Sequence, residues 1–197
     1  GGFDAVICVH LFPAEAMTAI RRNGHEGIQT IFVMTDYTCI PFLDETELDS
    51  YVIPHEHLIE EFATRGIPRE KLYPLGIPIG REFQHSDTKM EARRKIAESY
   101  GWDISPWKNW FLIMTGSMGY GSTQEIIDET LKQSQEETEI IAVCGRNEEM
   151  RLKLTEDNKT RKVVHPIGYT DDVPLLMDAC DVLFTKPGGI SSTAAIC

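Results

Sequence analysis

The sequence predicts an α/β fold in which parallel strands alternate with crossover helices. Along all 197 residues, short runs rich in β-branched residues alternate with amphipathic stretches of helical periodicity, an order typical of β-α-β units. Several of the short runs, such as Trp110–Met114, are apolar at every position, as strands are when helices cover both faces of their sheet. The pattern therefore predicts parallel sheets buried between helices.

The apolar runs and the amphipathic stretches place the elements in order along the chain. The predicted strands are Asp4–Val9, Gln29–Thr35, Ser50–Ile53, Lys71–Leu75, Asn109–Met114, Glu139–Val143, Arg161–Val164 and Asp181–Phe184. The predicted helices are Ala14–Arg22, Glu56–Thr64, Lys89–Ser99, Thr123–Ser134, Glu148–Leu154 and Asp172–Asp178. The pattern at Ser122–Glu125 matches a capping box and predicts the start of the fourth helix.

The regular alternation loosens between Gly76 and Trp110. This stretch contains Gly-Ile-Pro-Ile-Gly80, a charged helix and a turn rich in Trp and Pro at Trp102–Trp107. It predicts a domain boundary near Gly80. Neither flanking segment has the five or six strands usual in a doubly wound sheet, so we expect further strands of the first domain to precede residue 1.

Composition and charge exclude several classes of protein. No apolar run approaches the roughly 18 residues of a membrane-spanning helix, and no signal-peptide pattern opens the sequence. The five cysteines are widely spaced and form no Cys-x-x-Cys pair, which favours reduced thiols in a cytosol. A net charge of −12 disfavours nucleic acid as a partner. The basic run at Glu91–Lys95 is interpreted as a solvated helix face.

Two glycine-rich loops follow predicted strands and precede helices. The first is Thr115–Gly121, and the second lies within Lys186–Thr193 and contains Pro-Gly-Gly. Glycines allow close approach of a ligand to the backbone, and the free N–H groups at a helix start favour an anion such as phosphate. Neither loop matches the dinucleotide fingerprint or the P-loop. The alternative is that the loops serve only chain reversal.

Two further strand ends carry side chains suited to a nucleotide. Arg146 follows the strand Glu139–Val143 and is a candidate partner for a diphosphate, whereas Tyr169, two residues after Ile167, could border a base. The alternative for both is an ordinary residue in a surface turn.

Asp36 closes an apolar strand in the first segment. A carboxylate there suits a general base or its orienting partner, but capping of the next turn explains it equally well. His10, at the end of the first strand, is interpreted as a satisfied strand-end histidine rather than a cleft residue. His55 and His57 are not expected to bind a metal, because residues two apart point to different sides of a helix. No metal site is predicted.

Taken together, the motifs resemble a known family in order and spacing. They are Thr35-Asp-Tyr37, Gly76-Ile-Pro78, Thr115-Gly-Ser-Met-Gly119, Cys144-Gly-Arg-Asn147, Gly168-Tyr-Thr-Asp171 and Lys186-Pro-Gly-Gly-Ile-Ser-Ser-Thr193. The chain resembles the diacylglycerol glycosyltransferases of bacteria and the monogalactosyldiacylglycerol synthases of plants, relatives of the peptidoglycan glycosyltransferase that makes lipid II.

The resemblance implies a GT-B fold of two facing Rossmann-like domains, incomplete at both ends. Residues 1–77 would be the C-terminal part of an N-terminal acceptor-binding domain, and residues 78–197 most of a nucleotide-sugar-binding domain. The implied reaction moves a hexose from UDP-glucose or UDP-galactose to a lipid acceptor such as diacylglycerol, without a metal or other cofactor. The implied location is the cytoplasm, at the inner face of the cell membrane, which parts outside this chain would contact.

The resemblance also implies residue roles. Asp36 is the candidate catalytic residue on the acceptor side, and the histidine that usually serves as base would precede Gly1. The implied donor-binding residues are Gly116, Ser117, Met118, Gly119, Arg146, Ile167, Tyr169, Lys186, Pro187, Gly188, Gly189, Ser191 and Thr193.

One position departs from the family pattern. Ala194 stands where the family usually has a glutamate that holds the nucleotide ribose, and its methyl group cannot make those charge-assisted hydrogen bonds. This departure, with the missing base, favours as an alternative a non-catalytic relative that binds a nucleotide sugar or lipid. A second alternative is a UDP-sugar epimerase on the same fold.

Overall fold

A computed structural model of the protein describes residues 2–25, 27–84, 87–115, 120–134 and 138–196. The chain forms two units, one of Gly1–Ile79 with Gly188–Thr193 and the other of Gly80–Pro187 with Ala194–Cys197. Within the described residues, each unit is an α/β structure built on a parallel sheet of four strands. The predicted fold class is therefore confirmed.

The sheet of the first unit follows the order of the sequence. Its strands are β1 (Ala5–Cys8), β2 (Gln29–Val33), β3 (Ser50–Val52) and β4 (Leu72–Tyr73). Its helices are α1 (Leu11–Arg22) and α2 (Ile59–Thr64). Cys8, Phe32 and Tyr51 are paired across neighbouring strands and pack with Phe62 of α2 in one buried core. This core fixes the carboxyl ends of β1 and β2.

The sheet of the second unit has the order β7-β6-β5-β8. Its strands are β5 (Asn109–Met114), β6 (Thr138–Val143), β7 (Val164–Ile167) and β8 (Val182–Thr185). The helices after β4 are α3 (Lys89–Tyr100), α4 (Tyr120–Gln133), α5 (Glu148–Asp157), α6 (Val173–Ala179) and α7 (Gly189–Ile196). One face packs on α3 and α6, and the other on α4 and α5.

This strand order places a topological switch point between β5 and β8. From β5 the chain adds β6 and then β7 on one side, after which it returns to place β8 on the other side of β5. The connections that leave β5 and β8 therefore diverge from adjacent positions. In open parallel sheets, ligands bind outside the carboxyl ends of the strands at such a point.

One predicted strand is displaced by three residues. The prediction for Arg161–Val164 is wrong in its bounds, because β7 spans Val164–Ile167 and includes Pro166. Proline lacks the N–H group that a ladder uses, and this argues against a strand in the sequence. Among the described residues, β7 lies at the edge of the sheet and pairs with β6 alone. The position of Pro166 is therefore tolerated.

The predicted capping box at Ser122–Glu125 is wrong. Helix α4 already includes Tyr120, so both residues lie inside the helix. A capping box is instead present at the start of α3, where the Glu91 amide donates to Thr88 Oγ1 and Glu91 Oε2 accepts from the Thr88 amide at 3.1 Å. A capping box is therefore present in the structure, but at the start of α3 and not at the start of α4.

The interpretation of Glu91–Lys95 as a solvated helix face is wrong for Arg93. The side chain of Arg93 is 6% exposed, whereas that of its neighbour Arg94 is 61% exposed. The Arg93 guanidinium is buried because carbonyl and carboxylate oxygens from other segments surround it.

The four cysteines within the described residues are free thiols. Burial raises the pKa of Cys8, Cys39, Cys144 and Cys180, to about 11 for Cys144 and about 12 for Cys180. These thiols stay protonated at neutral pH, which makes them poor nucleophiles.

None of the helices within the described residues has the length and apolar character needed to span a bilayer.

Candidate active site

The carboxyl ends of β5 and β8 lie side by side in the second unit. Met114 and Thr185 are register partners, and Thr185 Oγ1 donates to the Met114 carbonyl at 3.2 Å. The buried Thr115 hydroxyl lies 2.7 Å from that of Thr123 and fastens the end of β5 to α4. The first glycine loop leaves from this point. Its predicted donor-binding residues, Gly116, Ser117, Met118 and Gly119, lie outside the described residues.

The second glycine loop leaves β8 and enters α7. Lys186 and Pro187 are exposed at the end of the strand. The Gly188 carbonyl accepts from the Ser192 amide at 3.0 Å, and α7 begins at Gly189. The first amides of a helix have no intrahelical acceptor, so those near Gly189 and Ser191 can serve an anion.

Arg146 and Tyr169 meet at the carboxyl edge of the same sheet. Arg146 follows Gly145, whose φ of +57° lies in the left-handed region. Its Cζ lies 5.7 Å from the centroid of the Tyr169 ring, within the range of a cation–π contact. Tyr169 is 66% exposed and donates to Asp171 Oδ1 at 3.0 Å, and this hydrogen bond raises the pKa of its phenol. The edge thus combines a cation with an accessible aromatic face.

Ile167 has a structural position at this edge. Its side chain is buried in the core with Leu176, and its carbonyl accepts from the Cys144 amide at 2.8 Å. A ligand here would meet the backbone around Ile167 and Gly168 rather than the isoleucine side chain.

Asp36 lies on the rim of a pocket of about 190 Å³ in the first unit. The pocket is formed at the carboxyl ends of β1 and β2, and its lining also includes Val9, His10, Phe32 and Ile40. Within the described residues, the exposed Asp36 carboxylate has no hydrogen-bond or ion-pair partner. Its oxygens are therefore available to a ligand.

His10 has two roles that sequence reasoning treated as alternatives. Its Nδ1 accepts from the Phe12 amide at 3.3 Å and caps α1, and its ring lies tilted against that of Phe12, with the centroids 4.9 Å apart. It also lines the same pocket as Asp36. It is therefore both a satisfied strand-end histidine and a pocket residue.

The loop after β2 is held by a residue that sequence reasoning missed. Glu61 Oε1 on α2 accepts from the Thr38 hydroxyl at 2.7 Å and from the Cys39 amide at 2.8 Å. These two hydrogen bonds lower the pKa of Glu61. A separation of 22 residues between Glu61 and Cys39 leaves no local pattern that could reveal the contact.

Residues 188–193 belong to the first unit and pack against the same loop. Thr193 Oγ1 donates to the Gly189 carbonyl at 2.7 Å, so the Tyr37 hydroxyl, 2.8 Å away, donates to Thr193. A Cβ atom at Gly189 would overlap the carbonyl of Thr35. Only glycine fits this close approach. The neighbouring Ala194 is 7% exposed.

The geometry of His55 and His57 differs from the expectation. Their ring centroids lie 4.7 Å apart, because His55 precedes the helical turn in extended conformation and its Nδ1 accepts from the His57 amide. The two rings do not point to different sides. No group of three or more His, Cys, Asp or Glu side chains arranged to hold a metal ion is present among the described residues.

Comparison with known protein families gives one match to the first part of the chain. Residues 2–79 match the family model of monogalactosyldiacylglycerol (MGDG) synthase. The matched range contains Asp36, His10 and Glu61.

Curated relatives match almost the whole chain. A processive diacylglycerol β-glucosyltransferase of Staphylococcus saprophyticus is 28% identical over 94% of this chain and 46% of the relative's length. An enzyme of the same name from Bacillus licheniformis is 29% identical over 96% of this chain and 48% of its own length. The chain thus spans about half the length of the curated relatives it matches.

Solved structures share the fold at low sequence identity. HepE of Anabaena, solved in complex with UDP-glucose, matches with a TM-score of 0.58 at 12% identity, over 91% of this chain and 52% of its own. The UDP-GlcNAc 2-epimerase of Methanocaldococcus jannaschii matches with a TM-score of 0.62 at 16% identity, over 97% and 58%. The resemblance drawn from the motifs is therefore confirmed: the chain has a GT-B-type fold and is similar over most of its length to the diacylglycerol glycosyltransferases.

Proposed function

We propose that the complete protein is a hexosyltransferase that moves a hexose from a UDP-sugar to the hydroxyl group of a lipid such as diacylglycerol. One observation carries the donor half of this proposal. The switch point between β5 and β8 is flanked by the two connections that contain the glycine loops. In sheets of this type, that position binds nucleotides and other phosphate-containing ligands.

The names of similar proteins support the same reaction. The curated relatives are called processive diacylglycerol β-glucosyltransferases, and the similar HepE structure contains UDP-glucose. Glucose or galactose is proposed as the hexose, since the curated relatives are named glucosyltransferases and the matching family model is that of monogalactosyldiacylglycerol synthase.

Transfer breaks the bond between the sugar and the diphosphate and leaves negative charge on the departing UDP. Groups aimed at this charge lower the barrier. The proposed groups are backbone amides of the two glycine loops, the side chains of Ser191 and Thr193, and the cations Arg146 and Lys186. Tyr169 and the backbone at Ile167 would border the uracil. Because these groups supply positive potential themselves, we propose that no metal ion or other cofactor takes part.

Asp36 is proposed to act on the acceptor. The lipid hydroxyl loses its proton as it attacks the sugar, and a carboxylate within hydrogen-bond reach can accept or orient that proton. Asp36 fits this role because its carboxylate is exposed on the rim of a pocket and has no competing partner in the described structure.

A lipid acceptor also sets the expected location. We propose that the protein works in the cytoplasm at the inner face of the cell membrane, where diacylglycerol is accessible. Attraction of a chain with net charge −12 to anionic lipid is weak. The membrane contact is therefore assigned to parts of the polypeptide outside this sequence.

The test uses the complete protein with radiolabelled UDP-glucose and UDP-galactose, and with diacylglycerol in phosphatidylcholine vesicles. We expect labelled glycolipid to form equally well with and without EDTA. Calorimetry with UDP should show binding of one molecule per chain. Failure to bind UDP would overturn the proposal, and loss of transfer in EDTA would overturn its metal-independent part.

Ala194 favours a second candidate, a relative that binds a nucleotide sugar without catalysis, because the ribose-binding glutamate of the family is replaced. Binding of UDP without any lipid product would support this candidate. Conversion of the UDP-sugar in the absence of lipid, seen by chromatography of the nucleotide sugars, would instead support an epimerase.

A further inference from the structure

We infer that Glu61 is a positioning residue that fixes the loop carrying Asp36 for reaction with the acceptor. The inference rests on the proposed function. It assigns to α2 a role in the site, although no atom of Glu61 lines the pocket beside Asp36.

The loop is anchored on both sides of Asp36. On the side of β2, the Met34 amide donates to the Val52 carbonyl at 2.9 Å, and the Met34 side chain is 1% exposed. On the other side, Cys39 is 3% exposed and its amide donates to Glu61. Only four residues, from Thr35 to Thr38, lie between these anchors. The position of the exposed Asp36 therefore depends on how firmly both ends are held.

Glu61 provides a charged acceptor for Cys39, the anchor on the C-terminal side of Asp36. One oxygen accepts from both the Thr38 hydroxyl and the Cys39 amide. Hydrogen bonds to an ionised carboxylate are roughly twice as strong as those between neutral groups. The Glu61 side chain thus restrains both Thr38, which is exposed, and Cys39, which is buried.

The carboxylate is itself rigidly placed. Its helix neighbour Phe62 is 0% exposed and shares a buried core with Cys39. The helix that provides the acceptor and the loop that provides the donors are therefore fixed to the same core. Removing the Glu61 carboxylate would release the loop without removing this packing.

Glu60 offers a matched control on the same helix. Its side chain is exposed and pairs with Arg69, and among the described residues it makes no hydrogen bond to the loop at residues 35–41. A Glu60→Ala variant removes the same groups from α2 as Glu61→Ala, but leaves the two bonds to Thr38 and Cys39 intact.

The first experiment measures amide hydrogen exchange in the complete protein and its variants. We expect exchange at Cys39 to be about tenfold faster in Glu61→Ala, because a charge-assisted bond is lost. Glu61→Gln keeps an acceptor oxygen and should restore part of the protection, whereas Glu60→Ala should match the wild type. Unchanged exchange in Glu61→Ala would overturn the inference whatever the activity.

The second experiment separates positioning from general stability. With diacylglycerol as acceptor, kcat of Glu61→Ala should fall about tenfold to a hundredfold, as displaced reactive groups do, with partial recovery in Glu61→Gln. The KM for the UDP-sugar should stay unchanged, as should kcat in Glu60→Ala. An active wild type with an unaffected Glu61→Ala variant would overturn this inference alone. A wild type that transfers no hexose would overturn the proposed function, and with it the role of Asp36.

Discussion

Arg93 and Asp181 are joined by a hydrogen bond of 2.5 Å between Nη2 and Oδ2, although they lie 88 residues apart. The same guanidinium donates from Nε to the Ala179 carbonyl at 2.8 Å and from Nη1 to the carbonyls of Pro106 and Lys108. A single buried side chain on α3 therefore connects the end of α6, the entry to β8 and the loop before β5. These elements place the two strands that flank the switch point.

Replacement of Arg93 by methionine is expected to destabilise the protein by about 1–3 kcal/mol, the usual cost of removing one partner of a buried hydrogen bond. Asp181 loses the guanidinium but keeps its bonds to Lys89 and the Trp110 amide. Carbonyls that now accept from Arg93 also lose their donor. Urea denaturation gives the free energy of unfolding. Arg94→Met is the matched control, because Arg94 is exposed and pairs with Glu98 on the same helix; a change within about 1 kcal/mol is expected. Equal effects of the two substitutions would contradict this account.

Asp181 is expected to make stability sensitive to acid. Burial raises the pKa of its carboxyl, but the hydrogen bonds from Lys89 and the Trp110 amide, with the charge of Arg93, outweigh burial and hold the pKa below its ordinary value. The stabilisation is therefore complete above about pH 3.9, the pKa of an unfolded aspartate, and is lost as the pH falls through the lower folded pKa. Denaturation curves from pH 7 to pH 3 should show the advantage of wild type over Asp181→Asn shrinking below about pH 4. A constant difference across this range would show that the charge is not responsible.

Gly189→Ala is expected to lower stability by about 1–3 kcal/mol, the usual cost of forcing an added methyl group into a packed site. The new Cβ would overlap the Thr35 carbonyl, so the start of α7 or the loop at Asp36 must shift. Turnover should fall as well. Gly188→Ala is the control for stability alone, because a Cβ at Gly188 meets no atom within 4 Å. Thermal unfolding and the transfer assay measure both effects, and a tolerated Gly189→Ala would argue against a tight approach at this position.

Arg146→Ala is expected to weaken UDP binding roughly tenfold to a hundredfold, the range for a lost hydrogen bond to a charged group. The side chain lies beside the Tyr169 ring at the carboxyl edge of the sheet. Calorimetric titration with UDP measures the change. Arg161→Ala serves as control, because Arg161 precedes β7 at the opposite end of the strand and pairs with Asp128. Similar affinities of both variants for UDP would remove Arg146 from the donor site.

Elements with strong local signals could be predicted from the sequence, and elements decided by distant partners could not. The strand Asn109–Met114 has its predicted bounds because five of its six residues form a continuous apolar run. At β7, by contrast, the β-branched pair at Val163 and Val164 shifted the prediction, and pairing with β6 decides the real bounds. Arg93 has an ordinary helical sequence context. Its burial depends on oxygens from segments that follow later in the chain.

In the candidate site, too, residues with a local signal could be predicted and residues placed by distant contacts could not. The glycine loops, Arg146 and Tyr169 were recognisable because each follows a strand, and parallel strands bring their carboxyl ends to one edge. The position of β8 beside β5, which creates the switch point, follows from tertiary pairing and has no local signal. Glu61 escaped prediction for a similar reason, since a glutamate on an amphipathic helix is usually solvated.

Pro166 gives the two edges of the second sheet different capacities for association. Ile167 directs its carbonyl toward β6, so its neighbour Pro166 directs its backbone nitrogen away from β6, to the outer edge, where it has no hydrogen to offer. An extended segment from another molecule could not complete a regular ladder there, and self-assembly through this edge is discouraged. The outer edge of β8 contains no proline between Val182 and Thr185. Among the described strands, the outer edge of β7 thus lacks at Pro166 a backbone donor that β8 has at every position.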